Sequence, residues 1–163
     1  MFFKSFFMKK LTLLILVFIA FVCNCYAQKV ITFQDAAKQG ISYQHLDSLY
    51  KSAVHSDPKL AVFKTKEDQQ KLQTAYINFM QGLGAYLKAN NFKWEKQVHC
   101  FNRIYFAPNG KVDYFLYNFP PGEISAAKEQ EFTNLLSQFV KNNQFGLTAN
   151  ERFAQCSPIK YAD

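Results

Sequence analysis

The sequence has no internal repeat, no low-complexity tract and no proline-rich spacer. Its one Gly-x-Gly, Gly82 to Gly84, falls inside a helical pattern rather than after a strand. A repeat array and nucleotide binding through a glycine-rich loop are thereby excluded. Metal-ligand spacing is missing too. His45 and His55 lie ten residues apart on one predicted helix, and His99 has no ligand-spaced neighbour. Ser125 and Ser157 lack the strand–turn–helix context of a nucleophile elbow. Glu129 and Glu131 fall on the polar side of a helix, which leaves Glu95 and Asp113 as the strand-associated pair to consider. No catalytic residue, metal or cofactor is read from this pattern.

The first ten residues carry Lys4, Lys9 and Lys10 and no acid, and Leu11 to Val22 is an apolar run interrupted only by Thr12 and closed by Cys25-Tyr26-Ala27. A basic start, a short apolar stretch and small residues at the cleavage positions form the secretory pattern. Cleavage after Ala27 is expected, with Met8 an equally good start to Met1. The alternative is an uncleaved anchor, but the apolar stretch is short of the roughly 20 residues that span a bilayer and is interrupted by Asn24. Val22 before Cys23 and Asn24 before Cys25 do not suit lipid attachment. Removing 27 residues from 163 leaves 136, the size of one domain. Three of the 19 basic residues and none of the 12 acids belong to the leader, so the remainder carries 16 against 12, a net +4. That scattered, mild charge implies neither nucleic acid nor stable membrane association.

Cysteine is scarce. Without the leader only Cys100 and Cys156 remain, and two thiols in an oxidising compartment most simply form one disulfide. Two buried free cysteines are the alternative.

The expected fold is α+β: an N-terminal helix pair over residues 28–92, then a β-β-α-β unit over 93–163 whose three-stranded antiparallel sheet packs on helices. Ser42 suits an N-cap before Leu46, Leu49, Tyr50 and Ala53, and Asp57-Pro58 ends that helix. Thr65-Lys66-Glu67-Asp68 resembles a capping box ahead of the stripe Leu72, Tyr76, Phe79, Leu83 and Leu87, which should stop near Asn90-Asn91. Val98–Phe106 and Val112–Phe119 flank Ala107-Pro108-Asn109-Gly110-Lys111 and predict a hairpin. Phe132, Leu135, Leu136, Phe139 and Val140 predict an amphipathic helix. A last strand is expected around residues 151–157, with Pro158 marking an edge or an end.

The run Arg103-Ile-Tyr-Phe-Ala-Pro-Asn-Gly-Lys-Val-Asp-Tyr-Phe-Leu-Tyr117, followed by a helix and a strand, resembles the TonB C-terminal domain over about residues 97–160. With Lys141-Asn-Asn-Gln-Phe145 in place of the family's basic-aromatic cluster, the resemblance implies a stand-alone relative used for binding rather than energy transduction. The second strand is apolar on both faces: Tyr114 and Leu116 point one way, Phe115, Tyr117 and Phe119 the other. Either the helix pair covers the second face, making three layers, or an aromatic face stays partly open with Arg103 at its border. The functional expectation is an exported, non-enzymatic module contacting a protein or peptide partner through the Val112–Phe119 edge or an aromatic face. Phe115, Tyr117, Phe119 and Arg103 are its candidate binding residues. A small carboxylate hydrolase and a structural homodimer subunit are the alternatives.

Overall fold

The computed structural model describes residues 28–163; the leader read over residues 1–27 lies outside the described residues. In chain order the elements are β1 (Lys29–Thr32), α1 (Phe33–Lys38), α2 (Tyr43–Leu49), β2 (Lys51–Ser52), a 3-10 turn (Pro58–Leu60), α3 (Lys66–Ala89), β3 (Val98–Phe106), β4 (Val112–Asn118), α4 (Ala126–Asn142) and β5 (Phe153–Tyr161).

Local chemistry fixes most boundaries. Thr65 caps α3 by accepting from the Asp68 amide, Ser125 caps α4 through Lys128, and Ser42 caps α2 through His45. At the other end of α3, the Phe92 amide reaches the Leu87 carbonyl at 3.0 Å and the Asn91 amide reaches Lys88 at 3.1 Å. With Asn91 at φ 60°, that pattern is a Schellman cap. In the hairpin the Gly110 amide donates to the Ala107 carbonyl at 3.0 Å with φ at 84°. A Cβ on Gly110 would sit 2.5 Å from the Phe145 carbonyl oxygen, so both the turn and the neighbouring loop require glycine.

The fold is α+β, with β3 between β4 and β5 in antiparallel register, as expected for the β-β-α-β unit. The sheet is not three-stranded, however: its order is β1-β4-β3-β5-β2. Both added strands come from the region read as helical, and both pair in parallel. β1 covers β4 from Lys29↔Tyr114 to Thr32↔Tyr117, so the Val112–Phe119 edge is not free. β2 meets the start of β5, where Lys51 donates to the Arg152 carbonyl at 3.1 Å and Ala53 to Ala154 at 2.8 Å. These bonds draw the chain out of α2 at Leu49, well before Asp57-Pro58. Pro158 lies within β5, opposite Phe101 and past the residues that β2 pairs with. A proline there costs no ladder bond when its nitrogen faces the uncovered side.

Three layers result, though not in the expected arrangement. α3 and α4 share one face, burying Leu72, Phe79, Leu83 and Leu87 with Phe132, Leu136 and Phe139 against Val98, Ile104, Phe106, Phe115 and Tyr117. The opposite face receives only the two short helices, through Ala36 and Leu46 with Tyr50, on Tyr105, Leu116 and Ala154. Among the described residues no helix is long and apolar enough to cross a membrane.

Candidate functional site

Pairing and packing place the sequence-derived candidates in different surroundings. Phe115 and Tyr117 are fully buried and Phe119 is 8 % exposed. Tyr117 hydrogen-bonds Thr133 of α4, and Phe119 packs on Phe132 at 5.4 Å and Trp94 at 5.9 Å between ring centroids. These rings are core, because α4 docks on the face they share. The expectation that Tyr117 and Phe119 anchor a partner is therefore overturned, as is the expected use of the β4 edge.

The disulfide is corrected as well. Cys100 pairs opposite Ile159 and Cys156 opposite Arg103, so the two cysteines lie on opposite faces of the sheet and both are free. Cys100 is buried, donating to Asn102 Oδ1 at 3.2 Å, while Asn102 Nδ2 donates to the Tyr161 hydroxyl at 3.0 Å. Desolvation pushes the Cys100 thiol up to about 12, which keeps it protonated and unsuited to nucleophilic attack. Cys156 is exposed, yet desolvation still raises its thiol against the pull of Arg103.

Arg103 stands apart from the other candidates. Its Nη2 donates to Asp47 of α2, whose second oxygen accepts from the Tyr105 hydroxyl at 3.1 Å. The guanidinium lies 5.3 Å from the Tyr43 ring centre and 6.0 Å from that of Tyr105, within cation–π range. Its Nε is enclosed without a hydrogen-bond partner. The pairing with Asp47 and the contact with two rings hold Arg103 in one place instead of leaving it free in solvent.

Two positions along β3, on the same face, Phe101 remains 40 % exposed; Tyr43 is 44 % exposed. Phe33 bridges them, with ring centres 6.0 Å from Phe101 and 6.4 Å from Tyr43. Beyond Phe101 the strip continues into a groove of about 460 Å³ walled by His99, Asn118, Pro120, Pro158 and Lys160. Here the sheet face runs past the end of the short helices, and nothing among the described residues covers it. Glu123 closes one side by accepting from the His99 amide at 2.8 Å and facing its Nδ1 at 3.1 Å. The backbone bond from His99 holds the Glu123 carboxyl below its ordinary value.

The sequence reading missed Phe101, Phe33 and Tyr43. The available signal was the alternation of β3, which puts Phe101 on the same side as Arg103 and opposite the core residues Cys100, Asn102 and Ile104. The acids considered for hydrolysis do not converge. Asp113 sits at the hairpin end of β4, accepting from the Tyr50 hydroxyl at 2.8 Å, while Glu95 precedes the far end of β3. About 30 Å of strand separates them at roughly 3.3 Å per residue. No three His, Cys, Asp or Glu side chains gather to hold a metal among the described residues. In comparisons with known proteins, the chain matches no family model, no curated protein and no solved structure.

Proposed function

We propose that residues 28–163 form an exported, non-enzymatic interaction module that holds a protein or peptide partner against Phe101, Phe33 and Tyr43, with Arg103 at the border. The observation that carries this reading is Phe101, a strand aromatic left 40 % exposed in mid-sheet and continuous with a proline-walled groove. Aromatic rings and arginine concentrate in interface centres because they bring large contact area at low cost in side-chain freedom. The ring contacts of Phe33 and the Asp47–Arg103 pair fix this strip in advance, so little ordering accompanies binding. Export rests on the leader pattern of Lys4, Lys9, Lys10 and Cys25-Tyr26-Ala27.

Kinship with the TonB C-terminal domain over about residues 97–160 belongs to the same proposal. Its support is the β-β-α-β order with β3 central, and the binding role does not depend on it. The separation of Glu95 from Asp113 weighs against a carboxylate hydrolase.

The test is a pull-down from the native cell envelope with wild type, Phe101→Asp and Ile77→Asp. Ile77 is a control on α3, 45 % exposed. Phe101→Asp should lose the captured partner while Ile77→Asp keeps it and both melt near wild type. Equal capture by the two variants contradicts the proposal, and recovery of only this chain points to a homodimer instead.

A further inference from the structure

Gly84 lies in the interior of α3, where glycine weakens a helix. No neighbour requires it: a Cβ added there would meet nothing within 4 Å. Gly84 instead borders an open recess of about 670 Å³ between the last turns of α3 and the segment entering β3. Gly84, Leu87, Lys88 and Asn91 follow helical spacing along one side of it. Trp94 and Tyr161 line it too, stacked at 4.7 Å with planes 9° apart. Leu87, Trp94 and Tyr161 are nearly buried, so the floor is apolar and rigid.

The rim is charged and mainly basic, with Lys88, Lys93 and Lys160 against the one side-chain carboxylate of Asp163. Lys88 and Lys93 both border the recess, and neither has an ion-pair partner among the described residues. Beside them Glu95 is held at φ 66°, an unusual backbone state for a residue other than glycine or asparagine. That turn aims two successive amides at one place. Trp94 donates to Asp163 Oδ1 at 2.8 Å and Glu95 to Oδ2 at 3.2 Å. Consecutive N–H groups of this kind form an anion cradle, and the chain already seats a carboxylate in it.

We propose that this recess binds a small amphipathic carboxylate, its apolar body on Leu87, Trp94 and Tyr161 and its head group at Lys88 and Lys93. The glycine keeps the entrance open, the aromatic floor takes the apolar body, and the unpaired lysines select an anion over a neutral analogue. The site does not involve Phe101 or Arg103, and it stands whether or not the strip binds a partner.

Trp94 is the only tryptophan of the chain and reports directly on its own pocket. Decanoate titrated into the exported protein should give a saturable change in tryptophan emission, with decan-1-ol binding more weakly. Gly84→Leu, which fills the recess from an unobstructed helix position, should weaken decanoate about tenfold or more, an effect of the size of a lost apolar contact. Gly84→Ala should stay within about twofold because its methyl barely enters the recess. The Lys88→Gln/Lys93→Gln double variant, altered only at the surface, should weaken decanoate roughly fivefold and leave decan-1-ol unchanged. Absence of a saturable signal, undiminished binding by Gly84→Leu, or equal affinity for acid and alcohol would each overturn the proposal.

Discussion

The two faces of the sheet are built to different standards. On one, α3 and α4 bury a continuous core that includes residues from Ala53 to Tyr161. On the other, α1 and α2 together supply only Ala36 and Leu46 as buried residues, and β3 runs out from beneath them with Phe101 exposed. The same strand therefore serves two purposes: Cys100, Asn102 and Ile104 face the well-covered core, while Phe101 and Arg103 face the thin side. In the proposed reading the first face supplies stability and the second is the one that contacts a partner.

The largest effect should come from the covered face. Phe132 is fully buried and contacts Phe92, Trp94, Tyr117, Phe119 and Tyr161. Phe132→Ala should lose about 3–5 kcal/mol in urea unfolding, the usual cost of deleting a large core ring. A loss below about 1 kcal/mol, the level of ordinary surface changes, would break the contrast between the faces.

Alkali tests the same packing without a mutation. Cys100 rises from 9.0 to about 12 and Tyr117 from 10.0 to about 12, both chiefly through desolvation, and Tyr161 is held well above 10.0 for the same reason. In the unfolded chain these groups release protons at their ordinary values, while the folded chain keeps them. Between about pH 9 and 12 the folded state binds more protons, so stability must fall as pH rises. Melting temperature measured across that window should decline steadily, and the decline should be shallower in Cys100→Ala relative to its own value at pH 8. A flat profile would contradict the burial assigned to these groups.

The Asp47–Arg103 pair sharpens the thin side. Asp47→Ala leaves a partly enclosed guanidinium without its acceptor and should cost about 1 kcal/mol, reduced from the fully buried case by solvent. Arg103→Met removes the charge together with its need for a partner and should cost less, as equilibrium unfolding of both variants will show. The reverse order would mean that Arg103 acts mainly through packing on Tyr43 and Tyr105. Smallest of all, Phe101→Ala should change stability by no more than about 0.5 kcal/mol, measured in the same way.

The sequence made some parts of this fold legible and left others closed. The hairpin could be read because Pro108-Asn109-Gly110 is turn chemistry complete within a few residues, and α3 because Thr65 marks its start and the stripe from Leu72 to Leu87 repeats over about four turns. β1 could not: four residues cannot display an alternation, and their conformation is settled by β4 lying alongside. β2 is shorter still and exists only because Arg152 and Ala154 offer carbonyls. Counting cysteines suggested a bridge, but whether two strand residues face each other depends on register. Cys100 falls three pairs away from the position opposite Cys156, an odd offset that sends the side chains to opposite faces. Alternation separates Leu116 from Tyr117 along β4 without saying which face is covered. That was decided by α3 joining α4 on one side, a long-range choice with no local signal. Arg103 was named beside the β4 aromatic face, but it lies on the opposite side of the sheet, where Asp47 and Tyr43 of α2 hold it; no local signal brings α2 to it.

The proposed function requires that the thin face contacts a partner and that the outer side of α3 does not. Site-specific photocrosslinking tests this directly, with a photoreactive phenylalanine placed at position 101 in one protein and position 77 in another, both expressed in the native cell. The account predicts a discrete higher-mass adduct from position 101, lost when Arg103→Glu is added, and none from position 77. Adducts of equal yield from both positions, or from position 77 alone, would contradict it.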